Sequence, residues 1–445
     1  LQACNQRLET QSRREQHKRN SYPQPRLWKV IKTPGFGAGK SIRFGDLNGD
    51  GRKEILLAQN IRRVRGDNFS EISCLTAIDL DGNMLWQYGE PNPDNALVSN
   101  DLPFQIHDLD QDGRQEVIFC KDFRIYVVDG ATGELKYSAP TPKAPPHQGP
   151  RMPEDQYDRI CGDSLYFCDL SGTGRDQDLL IKDRYNNIWA YTWDLKLIWH
   201  HQGNCGHYPM VCDIDQDGKD EILIGYTLLD HDGKVLWSLD IGDHADGVAI
   251  GKFNGGREWQ LIIAASDEGM YWVDKSGQIL KHCDVGHSQT ATVAQFKGMH
   301  QGLQIATVTF WGNPGIIIFF DAEGNILRRK ELIAPRGTAL SPVNWDGSGN
   351  ELLLISGHPT EGGMIDYDFD RVVVFPDDGH PSLCYEPVDL VGDARDEILV
   401  WDQNSIWIYT QDRPGPPDCY RPIRQPDYNM SNYRAQISLP DLEES

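Results

Sequence analysis

Eight times along the chain a short acidic turn precedes an aliphatic run, and this repeat limits the possible folds more than any bulk property does. Its clearest copy is Asp108-Leu-Asp110-Gln-Asp112-Gly113-Arg-Gln-Glu116, which runs into Val-Ile-Phe and then into a second strand pair that begins at Ile125-Tyr-Val-Val. Further copies begin at Asp46, Asp169 and Asp213, near Lys252, near Gln295, at Asn344 and at Asp389. Most lie about forty to sixty residues apart, the length of a blade of four short strands. The repeat predicts an all-β propeller of eight blades, or seven if a degenerate unit around Lys252 or Gln295 is absorbed differently.

Within each unit the strand that ends at the acidic turn is the innermost, and the aliphatic run is the second. A later turn joins strands three and four, as in Asp79-Leu-Asp81-Gly82-Asn83, Asp230-His-Asp232-Gly233, Asp274-Lys-Ser-Gly277 and Asp321-Ala-Glu-Gly324. Gly and Asn there supply the positive φ that tight hairpins need. The last unit offers Ile398-Leu-Val-Trp401 and Ile406-Trp-Ile-Tyr409 before the Pro-rich Arg413-Pro-Gly-Pro-Pro. Leu27-Trp-Lys-Val-Ile31 from the N-terminal side can supply its missing outer strand and so hide two sheet edges. The predicted organisation is a signal remnant and flexible tether over 1–26, a catalytic propeller over 27–412 and a Pro-rich tail over 413–445.

The 445 residues carry a formal charge of −23, which argues against nucleic acid, because phosphate binding needs a basic face. No apolar run approaches the roughly 20 residues of a membrane span. Leu1-Gln-Ala-Cys4 matches the end of a bacterial lipoprotein signal, with Cys4 the lipid-modified residue; an arbitrary chain start with an ordinary Cys reads equally well. The first reading implies an exported protein, periplasmic or at the cell surface, or secreted. A monomer is expected. Ten Cys permit disulfides, yet Cys120, Cys168 and Cys212 lie in apolar strand contexts where thiols act as small hydrophobes, and no pairing follows.

Three acidic turns have the alternate oxygen ligands of a compact calcium loop: Asp46, Asn48, Asp50 and Glu54; Asp108, Asp110, Asp112 and Glu116; and Asp213, Asp215, Asp217 and Glu221. A weaker set is Asp389, Asp393 and Glu397. Asp, Asn and Gly also make good turns without metal, as at Asn254-Gly-Gly and Asp346-Gly-Ser-Gly. Structural Ca²⁺ is the expectation.

Six to eight positions before each acidic turn, the chain enters the inner strand from the opposite face. That slot holds Lys40, Asn100, Arg159, His207, His244, His287, Arg336 and His380. Loops after the second strand add Lys121, Lys182, Arg184, Tyr185, Tyr226, Trp311 and His358 to the same face. Converging cations with flanking aromatic rings suit an acidic sugar. β-Elimination at a uronate needs its carboxylate neutralised, a base for the C5 proton and an acid for the leaving oxygen, roles that Arg, His and Tyr can fill. Zinc is the rival use of the His trio, with Cys205 or Cys212 as an added thiolate.

The run Lys182-Asp-Arg184-Tyr185-Asn-Asn-Ile-Trp189, then Gly206-His207-Tyr-Pro-Met, Asp213-Ile-Asp-Gln-Asp-Gly218, Asp230-His-Asp-Gly233 and Asp243-His244-Ala-Asp246, resembles propeller polysaccharide lyases that cleave rhamnose–uronate polymers. These are the ulvan lyases and the lyases and rhamnosidases acting on α-L-rhamnosyl-(1→4)-D-glucuronate of plant or algal polysaccharides such as arabinogalactan. More distantly the chain is similar to rhamnogalacturonan lyases of the eleventh lyase family. The resemblance covers roughly residues 40 to 410 and is most specific over 180 to 250.

It implies that Arg184 neutralises the carboxylate and that Tyr226 stands near the reacting sugar. Ulvan lyases use a histidine pair on an early blade, where this chain has Asn100 and Lys121. The proton-transfer roles therefore fall to His207, His244 and Tyr226, with Lys121, Lys182, Tyr185, His287, Trp311, Arg336 and His358 binding substrate. The expected activity is a lyase on the rhamnosyl-glucuronate linkage. An α-L-rhamnosidase, whose active site in this group can lie on the opposite face, and a non-catalytic carbohydrate-binding propeller are the alternatives.

Overall fold

The repeat dictates the architecture because each unit buries its aliphatic strands only against its neighbours, so the units must go round in a ring. The structure, a computed structural model, describes residues 13–63, 70–99, 101–145, 157–256, 258–298, 302–309, 315–332, 340–427 and 436–440. Among the described residues eight sheets, antiparallel within each blade, follow one another as blades 1 to 8 of an all-β propeller. Blade 4 is typical, with strands A to D at Pro209–Cys212, Glu221–Ile224, Thr227–Leu229 and Val235–Ser238. Strands B and C are buried along their whole length while strand D is largely exposed, as expected for a fan of strands whose outer edge meets water.

Adjacent blades are joined by a repeated tryptophan contact. Trp86 in strand D of blade 1 donates its indole N–H to the Gly130 carbonyl of blade 2, and Trp199 of blade 3 donates to the His231 carbonyl of blade 4. Each indole lies against the glycine of the neighbouring C–D turn. Gly133 has φ +70°, and a Cβ there would stand 2.7 Å from the Trp86 ring; at Gly233 the corresponding gap to Trp199 is 2.8 Å. Glycine is thus required twice over at these turns, for the left-handed backbone and for the indole.

Blade 8 closes the ring as the sequence predicts. Its strands Cys384–Val388, Glu397–Trp401 and Ser405–Gln411 take Pro25–Lys32 as the fourth, with Ile31 opposite Ile406. Both chain ends differ from the predicted boundaries. Residues 13–19 of the presumed tether are helical, and Arg14 and Lys18 pair with Asp366, Asp368 and Asp370 in the C–D turn of blade 7. Residues of the presumed tail form the hairpin Pro422–Gln425 and Ile437–Pro440, whose second strand pairs in parallel with strand A of blade 6, Thr292–Ala294. Arg424 fastens this hairpin to Glu351 and Asp396, each at 2.8 Å. Proline content suggested a loose tail, but these ion pairs to buried carboxylates hold it. The nine described cysteines are free, and among the described residues no helix is long and apolar enough to cross a membrane.

Candidate active site

The ring geometry turns three sequence-distant histidines into one cluster. His207 enters strand A of blade 4, His244 that of blade 5, Gly247–Gly251, and His287 that of blade 6. The loops interlock: His207 N–H donates to the Ala245 carbonyl at 3.0 Å, and Gly206, at φ +56°, lies so close to that carbonyl that a Cβ would stand 2.5 Å from it.

All three rings meet Asp246, which is 2% exposed. His207 Nε2 lies 3.2 Å and His244 Nε2 3.7 Å from Asp246 Oδ1, and His287 Nε2 lies 3.2 Å from Oδ2. Gln289 Nε2 donates to Oδ2 at 3.1 Å, and Ser266 Oγ donates to it as well. The outer ring nitrogens are held too, His244 Nδ1 by Asp243 at 2.8 Å and His287 Nδ1 by Asp267. Burial works to raise the Asp246 carboxyl, but the hydrogen bonds from His207, His244 and His287 hold it well below the ordinary carboxylate range. Burial lowers His207 to about 4, and it opposes the carboxylates of Asp246 and its neighbours at His244 and His287, which end up raised.

Beside this cluster stands the B–C turn of blade 3, between Asp178–Lys182 and Asn187–Tyr191. Asp183 shapes it by accepting the N–H groups of Asn186 and Asn187 at 2.8 Å each. Tyr185 projects from it, its ring 5.0 Å from His244 and 5.4 Å from His207 between centroids, and the Arg184 guanidinium lies 5.2 Å from the Tyr185 ring centre.

Of the residues expected to act on substrate, the structure brings His207, His244, His287, Arg184, Lys182 and Tyr185 together and places Tyr226 in the next B–C turn. It buries four of them. Arg184 is 3% exposed, with its NH1 group 3.5 Å from Asp163, and Lys182 is 1% exposed, reaching Asp163 at 3.5 Å and donating to the Asp183 and Arg184 carbonyls. His207 and Tyr226 are buried as well, and the Tyr226 hydroxyl, pushed up by burial, has no hydrogen-bond partner among the described residues. His244, His287 and Tyr185 are the more open members. Lys121 is paired with Asp122 at 2.8 Å in blade 2, and His358 Nδ1 accepts the N–H groups of Thr360 and Glu361 in blade 7. Trp311, Arg336, Asn100 and Cys4 lie outside the described residues.

Sequence reasoning assigned no role to Asp163 or Asp246. Asp246 carried a signal, an acid two residues after a slot histidine, but so many acids in this chain shape turns that nothing set it apart.

Two kinds of donor set could hold a metal. His207, His244 and Asp246 offer one ligand atom each, mutually within 4.8 Å. The thiolates expected beside the His trio are missing from this set: Cys205 is fully buried with its thiol pushed up to about 12 by that burial, and Cys212 sits at the far end of strand A, one residue before an acidic turn. On the opposite face, the oxygens of Asp108, Asp110 and Glu116, and those of Asp213, Asp215 and Glu221, likewise lie within 4.8 Å of one another. Buried carboxylate oxygens of Asp108, Asp110 and Glu221 have no hydrogen-bond partner among the described residues, which fits a cation-binding loop. In the turn at Asp108, Lys136 already reaches Asp110 at 2.6 Å and Glu116 at 2.8 Å. In the first turn the oxygens of Asp46, Asn48 and Asp50 accept N–H groups of their own loop, as at Gly49, Asp50 and Arg52.

A cavity of about 350 Å³ also opens on that opposite face, lined among others by Lys53, Glu386, Asp396 and Arg424. None of the histidine-face residues lines it. Its ion pairs from Arg424 fasten the C-terminal hairpin, so the chemistry is better sought at the histidine cluster.

Residues 180–271, which contain that cluster up to Asp267, match the rhamnogalacturonan lyase family 11, C-terminal domain. The chain is 25% identical over 446 residues to rhamnogalacturonan exolyase YesX of Bacillus subtilis, covering 82% of this chain and 70% of the relative. It is 23% identical over 462 residues to rhamnogalacturonan endolyase YesW of the same organism, covering 87% and 69%. The solved structure of exotype YesX superposes with a TM-score of 0.66 at 21% identity over 88% of this chain and 75% of that one, and a Bacillus licheniformis rhamnogalacturonan lyase with 0.66 at 20% over 88% and 76%. The similarity found is thus to the rhamnogalacturonan lyases, the more distant of the groups that the sequence resembles.

Proposed function

We propose that the chain is a carbon–oxygen lyase that cuts a rhamnose–uronate polysaccharide by β-elimination, at the face carrying His207, His244, Asp246 and Tyr185. The observation that supports this reading is the convergence of three histidines from consecutive blades on one buried carboxylate, with His207, His244 and Asp246 inside the segment that matches the lyase family. Rhamnogalacturonan is the first substrate to test, because the relatives act on it by name. The rhamnosyl-(1→4)-glucuronate linkage is the second.

Elimination places negative charge on the uronate carboxylate as C5 loses its proton, so the site must hold positive charge there. His207, His244 and Asp246 suit a divalent ion such as zinc, for which imidazole and carboxylate are ordinary ligands. Bound there, the ion would supply that charge. Arg184 and Lys182 hold the turn that aims Tyr185 across the cluster, and its ring offers a face for the sugar. Tyr226, held protonated by burial, is suited to donate to the leaving rhamnose oxygen. His287, which Asp267 orients through Nδ1, is left to take the C5 proton at Nε2, which must first give up its contact with Asp246. Structural Ca²⁺ in the acidic turns at Asp46, Asp108 and Asp213 and an exported, monomeric, lipid-anchored protein complete the reading.

Incubation with rhamnogalacturonan should yield an unsaturated uronate with new ultraviolet absorbance, because elimination leaves a double bond conjugated to the carboxylate. Release of free rhamnose without that absorbance would move the assignment to a hydrolase. Binding of the polymer with no product would make the propeller a non-catalytic binding module.

A further inference from the structure

Blade 2 presents a strained turn to the same face. Its strands B and C, Glu116–Lys121 and Arg124–Asp129, pair Lys121 with Arg124, which leaves a two-residue hairpin of Asp122 and Phe123. Such hairpins favour Asn-Gly, because both residues need positive φ. Here the angles are +48° at Asp122 and +57° at Phe123. A bulky side chain in this region is an outlier, and strain of this kind is concentrated at binding sites.

The strain presents a ring. Phe123 lies 5.1 Å from Tyr157 between centroids, and the Arg63 guanidinium is 5.0 Å from its centre. Tyr157 Oη donates to the Arg63 carbonyl at 3.3 Å. Both rings are only partly buried. Next to them Asp122 bridges two cations, Arg63 at 3.3 Å and Lys121 at 2.8 Å, while Glu71, nearly buried, holds the other side of Arg63 and accepts the Asp122 N–H. The Asp122 side chain is 60% exposed, so its two ion pairs are surface pairs that an incoming carboxylate can displace. A carboxylate held by Arg and Lys beside an aromatic ring is what a bound uronate would present.

We propose that Arg63, Lys121, Phe123 and Tyr157 form a subsite for a uronate residue of the chain being cut, one that lies away from the scissile bond. The sugar stacks on Phe123, and its carboxylate takes the place of Asp122 between Arg63 and Lys121. This rests on the reading that the substrate is an acidic polysaccharide. It also explains why an unfavourable backbone is kept at a turn where Asn-Gly would cost less.

The test compares wild type, Phe123→Gly and Asp122→Asn for binding to rhamnogalacturonan polymer by calorimetry and for KM on the same polymer. Phe123→Gly should weaken binding about tenfold, the size of one lost aromatic contact, and raise KM more than it changes kcat. Its melting temperature should stay level or rise, because glycine relieves the backbone. Asp122→Asn keeps the shape but removes the competing charge, so it should bind the polymer more tightly, most visibly at low salt. If wild type binds and both variants match it, the subsite is overturned and the lyase reading stands. If wild type itself neither binds nor cuts any rhamnose–uronate polymer, the reading of the whole site is overturned, and the subsite with it.

Discussion

The two ends of the strands spend the same residue type differently. On the A–B face the leading carboxylate of a turn draws on its own loop: Asp213 accepts the N–H groups of Gln216, Asp217 and Gly218, as Asp46 accepts those of Gly49, Asp50 and Gly51. On the opposite face Asp246 draws its partners from three blades, namely His207, His244, Ser266, His287 and Gln289. The first face is local and serves the fold, whereas the second exists only once the ring has formed and is where chemistry can be built. Substitutions should therefore separate stability from activity according to the face they touch.

The largest effect is expected on the fold side. Arg424→Ala would leave Glu351, fully buried, and Asp396, nearly so, without their shared cation. Breaking one partner out of a buried ionic group costs about 3–5 kcal/mol, to be read by denaturant titration. Native protein that remains should still turn over substrate; loss of activity without loss of stability would break the comparison.

Next come Asp246→Asn and Arg184→Ala. Each should lower kcat by about 10²–10³, the usual loss for a group that organises charge around a transition state. Asp246→Asn should also lower the metal content measured by elemental analysis. Near-normal turnover in both would put the active site on the other face.

Chelation should lower stability through the acidic turns by less than Arg424→Ala does, and should lower turnover by removing the ion held at His207, His244 and Asp246. An ion that binds only the native state at a hundred times its dissociation constant contributes about 2.7 kcal/mol, so chelator should lower the melting temperature and added Ca²⁺ should restore it. An unchanged melting temperature would remove the calcium loops from the account. Smallest of all is Arg114→Ala, exposed in the acidic turn of blade 2, which should stay within about 0.5 kcal/mol and leave activity intact. Arg395 would be a poor control on that face, because it grips Asp393 at 2.6 Å and the Arg413 carbonyl at 3.0 Å.

The same contrast explains what could be read from the sequence. Eight blades, the A–B position of the acidic turns and the closing strand, read as residues 27–31 and found at Pro25–Lys32, were legible, because each follows from the spacing of the repeat. The histidine slots were legible as a register, since a repeat fixes which residues enter from which end. Burial was not: nothing near Arg184 announces that Asp163 and the Tyr185 ring will enclose it. The role of Asp246 was hidden for the same reason, as its ligands arrive from blades that only the closed ring brings into contact. The strand pair Pro422–Gln425 and Ile437–Pro440 was missed because proline suggested a tail, whereas its partners lie on blades 6, 7 and 8.

The borrowed strand has a consequence for how the protein is made. Pro25–Lys32 leaves the ribosome before blades 1 to 7, yet its pairing partner Ser405–Gln411 comes after them. During synthesis the early blades can stack only as an open arc, with an unpaired edge at each end and the long-range closing contact still to form. A chain cut short in translation lacks Ser405–Gln411, cannot close, and keeps those edges exposed to other chains or to proteases. The ring can therefore close only after Ser405–Gln411 has been made.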